Sequence, residues 1–328
     1  MELTTVNSDI NSQVIPESEI IKRPNGAFIE ANTKQVSLEH LKKDCIIPVF
    51  ARDNETTISH YEFIDSTYEI AKQLFPAAEI ETPDIRVSHI IKGRVPSAIG
   101  KPAKELLEHE KTLYYERCAF VMEMPSVRQN INGNELKLCV GGVRAYNQEN
   151  LYSKKSLEKF KLFIGFQNKV CTNLCISTDG FSNEIRIGSI SELEAKAESL
   201  FKGYCIEQHL EVMESMEDYG LTEEQFAHFM GKVRMYGHLS KPERKNIFPI
   251  GLSDSQINHV VKDYYSCPNF KRNEDGSISL WNLYNLLTEA NKSSYIDSNL
   301  ERNVNAYELT QNLSNSIQNN EWNWFVHH

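Results

Sequence analysis

The feature that most constrains this 328-residue sequence is a change of hydrophobic period near residue 190. Before this point, β-prone runs are separated by short turn sequences. After it, apolar residues recur at intervals of three and four. A period of two is typical of strands and a period of 3.6 is typical of helices. The sequence therefore predicts an α+β fold: an N-terminal α/β body rich in antiparallel β-hairpins, followed by a mostly helical C-terminal region.

Two turn dipeptides, Asn132-Gly133 and Asp179-Gly180, predict hairpins in the first part. The β-prone runs that flank them cover residues 114–124 and 136–146 for the first, and 170–177 and 184–190 for the second. Asn-Gly and Asp-Gly tolerate the positive φ angles that a tight turn between antiparallel strands requires. We therefore expect each dipeptide to join two paired strands.

Other elements follow from local patterns. The spacing of Ile64, Tyr68, Ala71 and Phe75 predicts an amphipathic helix that ends at Pro76. Further strands are expected at 46–51 and 85–92, and a further helix at 102–111. Helix starts are predicted by three capping boxes, Ser191-x-x-Glu194, Thr222-x-x-Gln225 and Ser253-x-x-Gln256.

The chain divides into three predicted units. Residues 1–36 are polar and lack periodicity, which predicts a flexible N-terminal arm. Residues 37–203 form the predicted α+β domain, and residues 204–328 form the helical C-terminal region. Three large rings near the C-terminus, Trp322, Trp324 and Phe325, are costly to leave in water. We expect them to dock on the chain's own core or in a partner, and self-docking is the favoured alternative.

The cysteines and the apolar runs bear on the compartment. Seven cysteines with no recurring short spacing argue against a disulfide framework and favour a reducing compartment. No apolar run approaches the ~20 residues that span a bilayer, and the N-terminus lacks the pattern of a secretory signal. The sequence predicts a soluble bacterial protein of the cytoplasm, without a membrane partner and with an oligomeric state left open.

The usual cofactor and hydrolase motifs are missing. The sequence contains no phosphate-binding loop, dinucleotide fingerprint, His-Glu-x-x-His or Gly-x-Ser-x-Gly pattern. A loop over 271–282 resembles a calcium-binding loop, but Lys271 and Asn282 occupy its first and last ligand positions. Cys171 has no histidine nearby in sequence to activate it. We predict no cofactor and no metal, and a non-enzymatic role is favoured over catalysis.

Charge is distributed unevenly around a net value of −10. Residues 137–172 carry seven basic and two acidic side chains, whereas residues 191–224 carry ten acidic and two basic ones. Lysines interleaved with aromatic rings are typical of proteins that hold single-stranded nucleic acid. The residues predicted to bind nucleic acid are Lys92, Arg94, Arg144, Lys154, Lys155, Lys159, Lys161 and Lys169. The alternative is that both segments are solvated faces.

Several stretches carry a resemblance to a known family. They are Ile85–Arg94, Thr112–Arg117, Gly141–Arg144, Phe163–Asn168, Cys171–Cys175, Thr178–Gly180 and Ala290–Asp297. Together they resemble an uncharacterised bacterial family found in prophages and integrative elements. A looser likeness, around 171–173 and 281–289, extends to a broader phage- and plasmid-borne family. Neither family implies an activity, and the resemblance implies only a mobile-element setting.

Three classes of function compete within that setting. The first is a protein that binds or anneals single-stranded DNA through a basic surface, and this is the reading we favour. The second is an interaction protein that acts against a host defence system through the acidic surface at 191–224. The third is an enzyme that uses Asp179, Asp263 or His89, for which the sequence assembles no constellation of catalytic groups.

Overall fold

The computed structural model describes residues 4–5, 26–45, 57–98, 100–149 and 157–326. The strands are β1 Thr4–Thr5, β2 Lys34–Val36, β3 Asp84–Val87, β4 Ile90–Arg94, β5 Lys111–Tyr115, β6 Arg117–Ile131, β7 Asn134–Ala145, β8 Glu158–Asn168, β9 Leu174–Cys175, β10 Phe181–Ile187, β11 Gly220–Leu221 and β12 Ile278–Ser279. The helices are α1 Leu38–Lys43, α2 His60–Leu74, α3 Ile190–Gly203, α4 Ile206–Ser215, α5 Glu223–Tyr236, α6 Lys241–Arg244, α7 Asp254–Ser266, α8 Leu280–Asn291 and α9 Ile296–Asn319. The predicted α+β fold is confirmed.

The main sheet has seven antiparallel strands in the order β10-β8-β7-β6-β3-β2, with β9 also paired to β8. The hairpin predicted at Asn132-Gly133 is confirmed and joins β6 to β7. Asn132 and Gly133 have φ angles of 49° and 76°, which is the left-handed region that this type of turn needs. Residues 34–36, at the end of the predicted arm, form the edge strand β2. The predicted strand at 46–51 lies outside the described residues.

The hairpin predicted at Asp179-Gly180 is wrong. Its two strands, β9 and β10, do not pair with each other but both pair with β8, one after the other along the same edge. Gly180 lies against that edge, where a Cβ would be 2.3 Å from the carbonyl oxygen of Ile164. Glycine is needed here for close approach of two backbones, and not for a positive φ angle.

The strand predicted over residues 85–92 is also wrong in part, because the chain breaks at Ser88 and His89. β3 belongs to the main sheet, whereas β4 pairs with β1 and β5 in a separate three-stranded sheet. The break is fixed by Ser88, whose N–H donates to the carbonyl of Arg117 and whose hydroxyl accepts from the Arg117 N–H, each at 3.0 Å. The predicted helix at 102–111 is wrong as well, since short 3₁₀ turns at 103–105 and 108–110 occupy its place.

The predicted helix starts are confirmed, with a shift of two residues at one of them. α2 ends before Phe75, as Pro76 requires, and the capping boxes begun by Thr222 and Ser253 start α5 and α7. α3 begins two residues earlier than predicted, because Ser189 rather than Ser191 accepts the capping hydrogen bond, from the N–H of Glu192.

Alternation along the strands gives the main sheet two buried faces. Even-numbered side chains of β6–β8, such as Phe120 and Leu162, face α2 and α3 in the larger core. Odd-numbered ones, such as Val121 and Phe163, face α9 in a second cluster that also holds Phe28. This alternation follows from strand geometry. It decides on which side of the sheet each predicted site residue lies.

The C-terminal rings dock on the chain itself in two of three cases. The side chain of Phe325 is 1% exposed and packs edge to face on Phe229. Trp324 packs against the same core, with the ammonium of Lys232 4.6 Å from its ring centroid. Trp322 is 73% exposed. The prediction of self-docking is confirmed for Phe325 and Trp324 but not for Trp322.

Candidate functional site

The six predicted basic residues that the structure describes do not converge on one surface. Lys154 and Lys155 lie outside the described residues. The others divide among the small sheet, the two faces of the main sheet and the far end of β8. About 30 Å of strand separates Lys159 from Lys169, at ~3.3 Å per residue.

Lys92 and Arg94 lie on β4 in the small sheet. The side chain of Arg94 is buried, and its guanidinium donates to the carbonyl oxygen of Lys101. Lys92 is half-buried. Lys169 is exposed just after β8 and forms an ion pair of 3.3 Å with Glu135. These positions offer isolated cations rather than a basic track.

Arg144 is fully buried on the α2 side of the main sheet. Its Nε lies 3.3 Å from a carboxylate oxygen of Glu149 and its Nη2 lies 2.5 Å from one of Glu158. The rings of Tyr146 and Phe160 lie over the guanidinium at 4.4 and 4.3 Å. The guanidinium of Arg144 therefore contacts only other groups of the protein, and none of its surface faces solvent.

The two glutamates of this buried cluster also hold backbone groups. Glu158 accepts from the N–H of Ile58 at 3.2 Å, and Glu149 accepts from the N–H of Lys159 at 3.2 Å. Burial raises the pKa of Glu149, and the charge of Arg144 opposes that rise. Neither partner of Arg144 was predicted from the sequence, although Glu149 and Glu158 are the only acidic residues in the basic segment 137–172.

Lys159 and Lys161 lie on the α9 side of the sheet and line a groove between the strands and the start of α9. This groove has a volume of about 500 Å³. Both lysines are paired within it: Lys159 with Glu184 at 3.4 Å, and Lys161 with Glu301 at 2.8 Å. The exposed ring of Tyr295 forms part of its wall.

The groove continues along α9, because Ser298 and Glu301 also border a second cavity of about 510 Å³ that lies beside residues 249–253. The charged side chains lining the two cavities are three bases and three acids, namely Lys159, Lys161, Arg302, Glu184, Asp297 and Glu301. Among the described residues the groove therefore has no net charge, which suits a polar ligand of mixed charge better than a polyanion.

Most carboxylates of the acidic segment 191–224 are exposed, and we call this set of side chains the acidic face. Its carboxylates are Glu192, Glu194, Glu198, Glu207, Glu211, Glu214, Glu217, Asp218, Glu223 and Glu224. Eight of the ten are exposed, and of those eight only Glu223 has a cation partner within the described part of the chain, Arg272 at 2.8 Å, which leaves seven. Glu207, Glu211 and Glu214 are spaced i, i+4 and i+7, so they share one side of α4.

The polar stretch after residue 285 is structural. Asn285 is fully buried, and its side-chain oxygen accepts from Asn168 at 3.2 Å while its carbonyl accepts from Asn173 at 3.0 Å. The ammonium of Lys292, also buried, donates to the carbonyl of Cys171. Burial raises the pKa of the Cys171 thiol to about 12, so this thiol is protonated at neutral pH and is a poor nucleophile.

Two further findings concern metals and membranes. Across the described ranges, no three His, Cys, Asp or Glu side chains lie close enough together to hold a metal ion. In the loop 271–282, Asp275 accepts from the N–H and the hydroxyl of Ser277, and Asn282 donates to the carbonyl of Lys271. Of the helices described, none is both long and apolar enough to cross a bilayer.

Comparison with known proteins gives one match. Residues 9–326 match the family described as "Domain of unknown function, B. Theta Gene description (DUF3871)". No curated protein matches the chain, and no solved structure matches it. The matched range includes the main sheet, the groove, the acidic face and the docked C-terminal tail. This chain belongs to the DUF3871 family.

Proposed function

We propose that this protein acts by binding a basic protein partner on the acidic face rather than by catalysing a reaction. The observation that carries the proposal is the set of seven exposed carboxylates without a cation partner in the described residues. A surface of one charge sign raises the rate of association with an oppositely charged partner and disfavours wrong partners. This choice differs from the DNA reading that the sequence favoured.

The arrangement on α4 adds support. Like charges four residues apart on a helix destabilise it by about 0.2–0.5 kcal/mol per pair. Glu207 and Glu211 form such a pair, and Glu214 extends the row without a neutralising lysine on the helix. A role in binding a basic partner accounts for this unfavourable arrangement of carboxylates.

The setting is part of the proposal. The resemblance to families of prophages and integrative elements supports a mobile-element protein, with a host defence protein as the partner. None of the seven cysteines is in a disulfide, which supports a reducing compartment such as the cytoplasm.

The test uses a variant in which Glu207, Glu211 and Glu214 are replaced by Gln. Proteins captured by the wild-type chain from a lysate of the encoding bacterium are identified, purified and titrated against both forms. We expect affinity at 150 mM salt to fall by tenfold or more and the salt dependence to flatten. The matched control replaces three exposed carboxylates elsewhere, Glu69, Glu79 and Glu105. Equal affinity for the two variants, or no captured protein that depends on the face, contradicts the proposal.

A second candidate is binding of single-stranded DNA in the groove beside α9. The observation that favours it is that Lys159, Lys161 and the exposed ring of Tyr295 line one cavity, since cations and rings together hold a single strand. The carboxylates in the same lining oppose it.

The DNA candidate is tested with a labelled 20-nucleotide oligo-dT by fluorescence anisotropy. Binding at 50 mM salt should weaken steeply as salt rises, because released counterions drive the association. Replacing Lys154, Lys155, Lys159 and Lys161 by Ala should flatten this dependence. No binding at 50 mM salt removes the candidate.

A further inference from the structure

His40, within α1, has an acid on one side of its ring and a thiol on the other, and this cluster lies outside the surfaces described above. Ser37 caps this short helix and accepts from the N–H of His40 at 3.1 Å. Asp44 follows one turn later, so its carboxylate reaches the ring of His40, with 2.8 Å between Oδ2 and Nδ1. Cys45 is the next residue, and its Sγ lies 3.9 Å from Nε2 of the same ring.

This order of groups is the one that activates a thiol. An acid that accepts from Nδ1–H fixes the tautomer in which Nε2 carries the lone pair that can take a proton. The acid also stabilises the imidazolium that results, and the imidazolium in turn favours the thiolate beside it. The exposures fit these roles: His40 is buried, Asp44 has 56% of its side chain exposed, and Cys45 is half-buried.

Among the described residues, two other titratable groups face this cluster. The hydroxyl of Tyr115 lies 3.0 Å from Nε2 of His40, so it competes with the thiol for the same nitrogen. The thiol of Cys118 is fully buried, and its pKa is raised by burial and then by the charge of Cys45. Cys118 therefore stays protonated and adds no charge, whereas the bond from Tyr115 restrains the base.

We propose that Cys45 is a reactive thiol, with His40 as its base and Asp44 as the positioning residue, and that it is a site of modification by low-molecular-weight disulfides. The thiol proton passes to Nε2 of His40, and the thiolate attacks one sulfur of the disulfide. A new bond forms between that sulfur and Sγ while the old S–S bond breaks. The departing thiolate takes the proton from His40, so Cys45 is oxidised to a mixed disulfide and one small thiol is released.

The first experiment measures the rate of alkylation of each cysteine by iodoacetamide between pH 5.5 and 9.5, by peptide mass spectrometry. An ordinary thiol ionises near pH 8.5. A paired Cys45 should show its midpoint at least one unit lower. After allowance for the weaker nucleophilicity of a more acidic thiol, this corresponds to a rate about three times higher at pH 6.5. The exposed thiol of Cys205 reports reagent quality in the same sample, and the buried thiol of Cys139 reports global unfolding.

Three variants distinguish activation of Cys45 by His40 and Asp44 from simple exposure of the thiol. Asp44→Asn changes an exposed side chain and should raise the midpoint of Cys45, as should His40→Gln, which removes the base. Tyr115→Phe removes the competing hydroxyl and should lower the midpoint or leave it unchanged. The labelling rate of Cys205 should stay constant in all three. A midpoint near 8.5 in the wild-type chain, or one that Asp44→Asn does not move, overturns the proposal.

The second experiment uses oxidised glutathione as the probe, followed by intact and peptide mass measurement. We expect one glutathionyl group on Cys45 at pH 7 and a clear loss of this adduct in Cys45→Ser and in Asp44→Asn. An adduct that forms on other cysteines but not on Cys45 also overturns the proposal.

Discussion

The buried cluster around Arg144 gives the sharpest prediction about stability. Arg144→Met keeps the length of the side chain but removes the charge that faces Glu149 and Glu158 inside the protein. Breaking a buried ion pair from one side costs about 3–5 kcal/mol, because the remaining charge stays buried without compensation. For a chain of this size, at ~2 °C per kcal/mol, this corresponds to a fall of about 6–10 °C in melting temperature.

The loss of stability in Arg144→Met should depend on pH, and the ionisation of Glu149 sets the direction of this dependence. Burial already raises the pKa of Glu149 above its ordinary value of 4.5, and removal of Arg144 takes away the charge that opposes the rise. A carboxyl whose pKa is higher in the folded state contributes stability that is present below pH 4.5 and is lost as pH rises through the folded value. The deficit of Arg144→Met should therefore shrink as pH falls from 8 towards 4.5.

Two controls complete the measurement, which follows thermal and urea unfolding from pH 4.5 to 8. Arg186→Met removes an exposed cation paired with Glu184 and should change stability by less than about 1 kcal/mol. Adding Glu149→Gln and Glu158→Gln to Arg144→Met should recover much of the loss, because the amide oxygens still accept from the backbone. A deficit below about 1 kcal/mol, or one that is equal at pH 5 and pH 8, would refute the reasoning.

Three other predictions concern packing and are measured by urea unfolding. Phe325→Ala should cost about 3–5 kcal/mol, whereas the exposed Trp322→Ala should cost little; equal losses would contradict the docked tail. Gly231→Ala should stabilise the chain by about 1 kcal/mol because its position in α5 is open, whereas Gly141→Ala should destabilise it, since its Cβ would lie 2.1 Å from a backbone oxygen of β6. Asn285→Ala should cost about 1–3 kcal/mol by leaving buried amides without a partner, and a neutral result would contradict that network.

Local chemistry determined the elements that the sequence predicted correctly. The turn at Asn132-Gly133 depends on φ angles that few residues adopt, so these two residue types are enough to predict its position. The starts of α5 and α7 depend on hydrogen bonds within four residues of Thr222 and Ser253. The change of period near residue 190 predicted the α+β class for the same reason, because each period reports one kind of backbone.

Tertiary structure decided everything that depends on a distant partner. No local signal shows that the segments on either side of Asp179-Gly180 pair with β8 instead of each other, or that Ser88 meets Arg117. Charge in a sequence window likewise does not show whether Arg144 faces solvent or two glutamates inside the core. The alternation of side chains along the strands places Arg144 on the opposite side of the sheet from Lys159. Burial then pairs Arg144 with Glu149 and Glu158, whereas the sequence shows only that the three residues lie in the same basic segment.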